Sequence, residues 1–156
     1  MPPVLDRPAQ GLSQRVSLLL DDRLILIATN ERGHVVKRAT EPAIGMMLAR
    51  LRRGDAHMVV ERVEEGRPGS WYIQVLLREN NTYQLEYRDG VPEQHFQTLT
   101  VSQEKVLAAL LGWAAAKPGW EDGVGWDNIG EQFGSRDHPA SESADATERT
   151  TAPRTL

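Results

Sequence analysis

Four imidazoles occur in the 156-residue chain, His34, His57, His95 and His138, and there is no cysteine. No two of these histidines stand four residues apart, and no HExxH, HxH or carboxylate-triad spacing occurs, so a metal centre would need ligands converging from distant positions. The lack of cysteine excludes thiolate nucleophiles, thiolate ligation and disulfides. Neither a GxSxG elbow nor a GxxxxGK[ST] loop is present. The glycine-rich "PGWEDGVGW" lacks the strand–turn–helix setting of a phosphate cradle and reads as an irregular connection. That leaves Glu86 and His95, which would face one another on adjacent strands, where a carboxylate beside an imidazole can move protons. A structural cross-strand pair has the same pattern and contributes a few tenths to about 1 kcal/mol. With no third group to orient them, the expectation is a solvent-facing pair without catalysis, and no cofactor is called for.

Recognition is the other chemistry these residue types allow. The stretch "WYIQVLLRENNTYQLEYRDGVPEQHFQT" reads as three consecutive strands, and period two places Gln74, Gln84, Glu86, His95 and Gln97 on one face. Such a set is either the wet side of a half-buried sheet or a platform for a partner. Amides and imidazole satisfy a partner's polar groups without the desolvation cost of full charges. A second cluster is "PGWEDGVGWDNIGEQF", where Trp120, Trp126 and Phe133 stand beside Glu121, Asp122, Asp127 and Glu131 with no Lys or Arg. At least one of its tryptophans should pack against the last helix beside Trp113. An acidic strip with an exposed aromatic is also what a binder of a basic protein presents. The candidate partner-binding set is therefore Gln74, Gln84, Glu86, His95 and Gln97, joined by Trp120, Glu121, Asp122 and Asp127. The arginines of "RLRRG" would suit phosphate, but at the end of a helix they also complement its dipole, the reading favoured by an acidic chain.

The elements that must position these groups follow from periodicity. "RLILIATN" is a buried strand, "NERG" turns the chain, and "HVVKRAT" returns it as a hairpin. Thr40 caps a helix in which Ile44, Met47, Leu48 and Leu51 form the apolar stripe and which Gly54 ends. "HMVVERV" is a third strand, followed by the loop "EEGRPGS" and then the meander, with "NNT" and "DG" as its hairpin signals. In "TVSQEKVLAALLGWAAAKPGW", Thr100 or Ser102 caps a helix that buries Val106, Ala109, Leu110 and Trp113 and stops at Pro118. The order β-β-α-β-β-β-β-α predicts an α+β fold, an antiparallel sheet with its helices on one face and the other face in water.

The length fits one domain, assigned to residues 13–133 between a flexible proline-bearing arm (1–12) and a polar tail (134–156) too poor in apolar residues to fold. A net charge of −4 argues against general affinity for nucleic acid or anionic membrane. No apolar run is long enough to span a membrane and no secretory signal opens the chain, which points to the cytoplasm. Arginine outnumbers lysine and alanine is common, as in proteins of high-GC genomes.

The run "YIQVLLRENNTYQLEYRDG", then "HFQT", then "VSQEKVLAALLGWAAAKPGW" and the closing Trp126 resembles a group of small actinobacterial proteins. More remotely it is similar to the first-described class of immunity proteins from bacterial polymorphic-toxin systems. The resemblance covers residues 71–129 and rests on a Y-x-x-x-Y-x-D/N-G segment in a meander, an amphipathic helix, a proline and a tryptophan. It implies a protein that is no enzyme and that neutralises a cognate toxin domain by binding it. A chaperone or adaptor for a secreted or regulatory protein fits the same elements. A small-molecule or weakly catalytic domain centred on Glu86 and His95 is the third alternative.

Overall fold

The computed structural model of the protein describes residues 24–134. The assigned arm (1–12), residues 13–23 and the tail beyond Gly134 lie outside them. Seven strands form one antiparallel sheet: β1 (Leu24–Asn30), β2 (Val35–Lys37), β3 (His57–Glu64), β4 (Ser70–Leu77), β5 (Tyr83–Gly90), β6 (His95–Thr100) and β7 (Asp127–Asn128). Their order across the sheet is β2-β1-β3-β4-β5-β6-β7. Helices α1 (Glu41–Ala49) and α2 (Gln103–Ala114) pack on one face, which makes the chain an α+β fold as its periodicity predicts. A 3₁₀ turn (Trp120–Gly123) and a single helical turn α3 (Glu131–Gly134) follow.

Alternation sorts the side chains between two faces. On the inner face Ala28, Val60, Ile73 and Tyr87 lie in cross-strand register, as do Met58, Val75, Leu85 and Thr98. Above them α1 contributes Ile44 and Leu48, and α2 contributes Val106, Ala109, Leu110 and Trp113, all buried. Each fully buried aliphatic of this set contributes about 1.5–3 kcal/mol by leaving water.

The caps are those expected: Thr40 Oγ1 accepts from Ala43 N at 3.4 Å and Ser102 Oγ from Lys105 N at 3.3 Å. The helix ends differ from expectation. Helix α1 stops at Ala49 with Arg50 as its C-cap, so Arg52 and Arg53 lie beyond it. Gly54, with φ +81°, instead belongs to a tight turn in which Arg52 and Asp55 exchange backbone hydrogen bonds. Helix α2 stops at Ala114, well before Pro118. Lys117 N donates to Gly112 O and Ala116 N to Trp113 O, the paired bonds of a Schellman motif, with Ala116 in the left-handed region at φ 50°. The "DG" pair is likewise not a turn tip: Asp89 and Gly90 end β5, and Val91–Gln94 make the turn.

Nor is the glycine-rich segment after α2 a bare connection. Trp120 seats on Gly112, where a Cβ would come within 2.6 Å of the Trp120 Cβ. Trp120 and Trp126 both meet the Tyr87 ring edge-on, at centroid distances of 4.9 Å. The chain then adds β7 to the sheet edge, pairing Asn128 with Phe96 and Asp127 with Gln97.

Because an L-residue in the left-handed region carries steric strain that glycine lacks, Ala116→Gly should stabilise the protein by about 0.5–1 kcal/mol in chemical denaturation. A loss of stability would mean that the Ala116 methyl packs more favourably than the backbone is strained.

Candidate functional site on the outer face of the sheet

Register fixes what lies beside what on the face away from the helices. One row runs His57, Leu76, Gln84, Leu99 across β3 to β6. The next runs Val59, Gln74, Glu86, Gln97, Asp127. A third runs Glu61, Tyr72, Arg88, His95. Six of the residues singled out from sequence, Gln74, Gln84, Glu86, His95, Gln97 and Asp127, therefore share one face. The other three do not. Trp120, Glu121 and Asp122 lie on the helical side, where Trp120 packs on α2 and Glu121 accepts from the Tyr87 hydroxyl at 3.3 Å. Glu121 and Asp122 are separated from the amide-rich face by the sheet itself, while Asp127 joins that face beside Gln97.

Glu86 is the hub of the outer face. Its Oε2 receives Gln74 Nε2 at 3.0 Å and His95 Nε2 at 2.9 Å, and its Oε1 receives Gln84 Nε2 at 2.6 Å. Gln74 Oε1 in turn bonds His57 Nε2 at 3.2 Å, and the Gln84 amide reaches Gln97 Oε1 at 3.3 Å. Arg88 Nε donates to His95 Nδ1 at 3.2 Å, so the ring proton sits on Nε2 and is donated to Glu86. Burial alone would raise the Glu86 carboxyl, but the hydrogen bonds from His95, Gln84 and Gln74 outweigh it and hold it below the usual carboxylate range. Burial raises the Tyr72 hydroxyl, against the opposing pull of Arg88.

His95 is 1% exposed, so it is not the solvent-facing histidine expected. The Phe133 ring of α3 lies over it at a centroid distance of 4.4 Å, and the Arg88 guanidinium stands 5.3 Å from the same ring. Ile129 N donates to His95 O at 2.8 Å. Gly130 allows the close approach: a Cβ there would fall 2.1 Å from Glu93 O. The face is thus closed at the Tyr72–Arg88–His95 end and open at the other. There Leu76 is 38% and Leu99 49% exposed on either side of Gln84. A groove of about 770 Å³ adjoins Leu76, lined also by Leu77, Arg53, Arg78, Glu31 and Glu79.

Chemically, the Glu86–His95 pair is committed to the network. Both carboxylate oxygens and both ring nitrogens are engaged, and the two side chains are 14% and 2% exposed. The groove beside Leu76 and the cleft under α2 are lined by other residues. Among the described residues no three His, Asp or Glu side chains are placed to hold a metal ion, and no helix is long and apolar enough to cross a membrane.

No family model, curated protein or solved structure matches the chain. His57, Tyr72 and Arg88 belong to it as well and were passed over in the sequence, although the alternation that selects Gln74 and Glu86 also selects Tyr72 and Arg88 two positions away. Phe133 carried no such signal, since its contact depends on how the chain turns after β7.

Glu86→Gln would replace one carboxylate oxygen by an NH₂ that opposes either the donor of Gln84 or those of Gln74 and His95, and should cost about 1–3 kcal/mol at neutral pH. The folded-state carboxyl titrates lower than the unfolded one, so its contribution is present above the unfolded value of about 4.3 and is lost as pH falls through the folded one. Urea denaturation at pH 7 and pH 3 should show the gap between wild type and variant narrowing in acid. An unchanged gap would mean that the charge of Glu86 is not what the network recognises.

Proposed function

We propose that the protein is a non-catalytic protein-binding domain of the immunity type, acting in the cytoplasm by docking on a toxin domain. The docking surface in this reading is the open end of the outer face, centred on Leu76, Gln84 and Leu99. The observation that carries it is that pair of exposed leucines flanking a side-chain amide already tied down by Glu86. Apolar anchors beside ordered hydrogen-bonding groups are the make-up of an interface core. Gln84 and Gln97 are held in one arrangement by the network, so a partner that bonds to them sacrifices little side-chain entropy. The groove beside Leu76 gives a protruding partner side chain somewhere to enter. A catalytic role for Glu86 and His95 is disfavoured because both carboxylate oxygens and both ring nitrogens already hold hydrogen bonds and the side chains are only 14% and 2% exposed.

The resemblance of residues 71–129 to toxin-immunity proteins supplies the class of partner, and an adaptor for a secreted or regulatory protein would use the same surface. The test is co-expression with a toxin domain encoded beside the gene. Wild type should restore growth and bind the purified domain. Leu76→Asp with Leu99→Asp should leave the melting temperature within a few degrees, since exposed positions seldom matter to stability, while weakening binding by about tenfold or more. Full protection by the double variant would rule out this face. Binding of a secretion or regulatory protein at the same leucines, with no protection, would favour the adaptor.

A further inference from the structure

On the helical side of the sheet, away from the docking face, the β1–β2 hairpin and α1 enclose a cleft of about 470 Å³. That volume lies within the range of about 300–1,000 Å³ typical of small-molecule sites. Its rim carries Arg32, Arg50 and Arg52, all exposed and none in an ion pair with another described residue. Between residues 32 and 53 the chain places six cations against one carboxylate, although over its whole length it has 18 cations and 22 carboxylates. One wall is apolar, formed by Val36, Met46 and Met47.

Asp55 also lines the cleft, at 7% exposure. The orientation of its neighbour Asn30 is fixed, because Asn30 Oδ1 accepts from the His34 backbone amide at 2.8 Å. Asn30 Nδ2 therefore faces Asp55 Oδ2, at 3.3 Å. Asp55 Oδ1 is buried and has no protein donor. A buried carboxylate oxygen without a donor is costly, and a group that donates to it recovers that cost.

We propose that this cleft binds a small organic phosphate bearing an N–H donor, of the size and chemistry of a nucleoside monophosphate. The phosphate dianion is held by the arginine rim, where guanidinium groups form forked, charge-assisted hydrogen bonds. The body of the ligand lies on the methionine wall, whose thioethers suit a flat ring. The amine donates to Asp55 Oδ1. Phosphate is favoured over a monocarboxylate because three unpaired guanidinium groups match a dianion.

Calorimetric titration of the full chain tests this with adenosine 5′-monophosphate, its analogue lacking the 6-amino group, and inorganic phosphate. The amine-bearing nucleotide should bind saturably, about tenfold more tightly than the analogue and more tightly again than inorganic phosphate. Arg50→Ala with Arg52→Ala should weaken both nucleotides by a similar factor. In Asp55→Asn the amide oxygen turns toward Asn30 Nδ2 and puts an NH₂ where Oδ1 was, so the preference for the amino group should vanish. Should that variant fail to fold, the paired arginine variant and the three-ligand comparison still decide. Equal affinity for nucleotide and inorganic phosphate, no saturable binding, or a preference for the amino group that survives in folded Asp55→Asn would overturn the proposal.

Discussion

Holding the Glu86 carboxylate in the middle of the outer face is the constraint around which that face is arranged. A carboxylate largely removed from water is tolerable only if donors replace the solvent. Here they come from three strands: Gln74 on β4, Gln84 on β5 and His95 on β6. Each donor is itself fixed by a further group, His57, Gln97 and Arg88 respectively. One buried charge thereby orders six side chains across β3 to β6. The same bonds that stabilise the carboxylate fix which polar atoms the outer face presents.

The two faces of the sheet solve different problems. The inner face is an ordinary apolar core, closed by two helices and by Tyr87 stacked on Phe96 with two tryptophans at its edge. The outer face is polar at its centre, capped at one end by Phe133 and bordered at the other by Leu76 and Leu99. The cap makes His95 part of the fold, while Leu76 and Leu99 stay exposed at the other end. The basic cleft beside α1 uses Asn30, Arg32, Arg52 and Asp55 of the same two segments that give the groove at Leu76 its Glu31, Arg53, Gly54 and Ala56.

Much of this was legible in the chain. Strict alternation in β4 and β5 reveals the strands, their antiparallel pairing and the shared face of Gln74, Gln84 and Glu86. Threonine and serine capping signals mark where both long helices begin, because an N-cap is a local bond between a side chain and an amide three residues on. Helix ends were less legible. Gly54 and Pro118 are sound stop signals, yet each helix had already ended, α1 at Ala49 and α2 through an alanine in the left-handed region. Packing of Trp120 on Gly112 holds the chain there, and no local propensity encodes that contact.

Local sequence thus determined element type, face and order, because periods of 2 and 3.6 residues follow from backbone geometry alone. Tertiary structure decided the rest. It put Trp120, Glu121 and Asp122 on the opposite side of the sheet from Gln97, although they stand close to Asp127 in the chain. It covered His95 with Phe133, and it brought Asp55 beside Asn30 across β2 and α1. Those outcomes depend on where a chain goes after it leaves a regular element, and that is set by distant surfaces competing for the same apolar and polar groups.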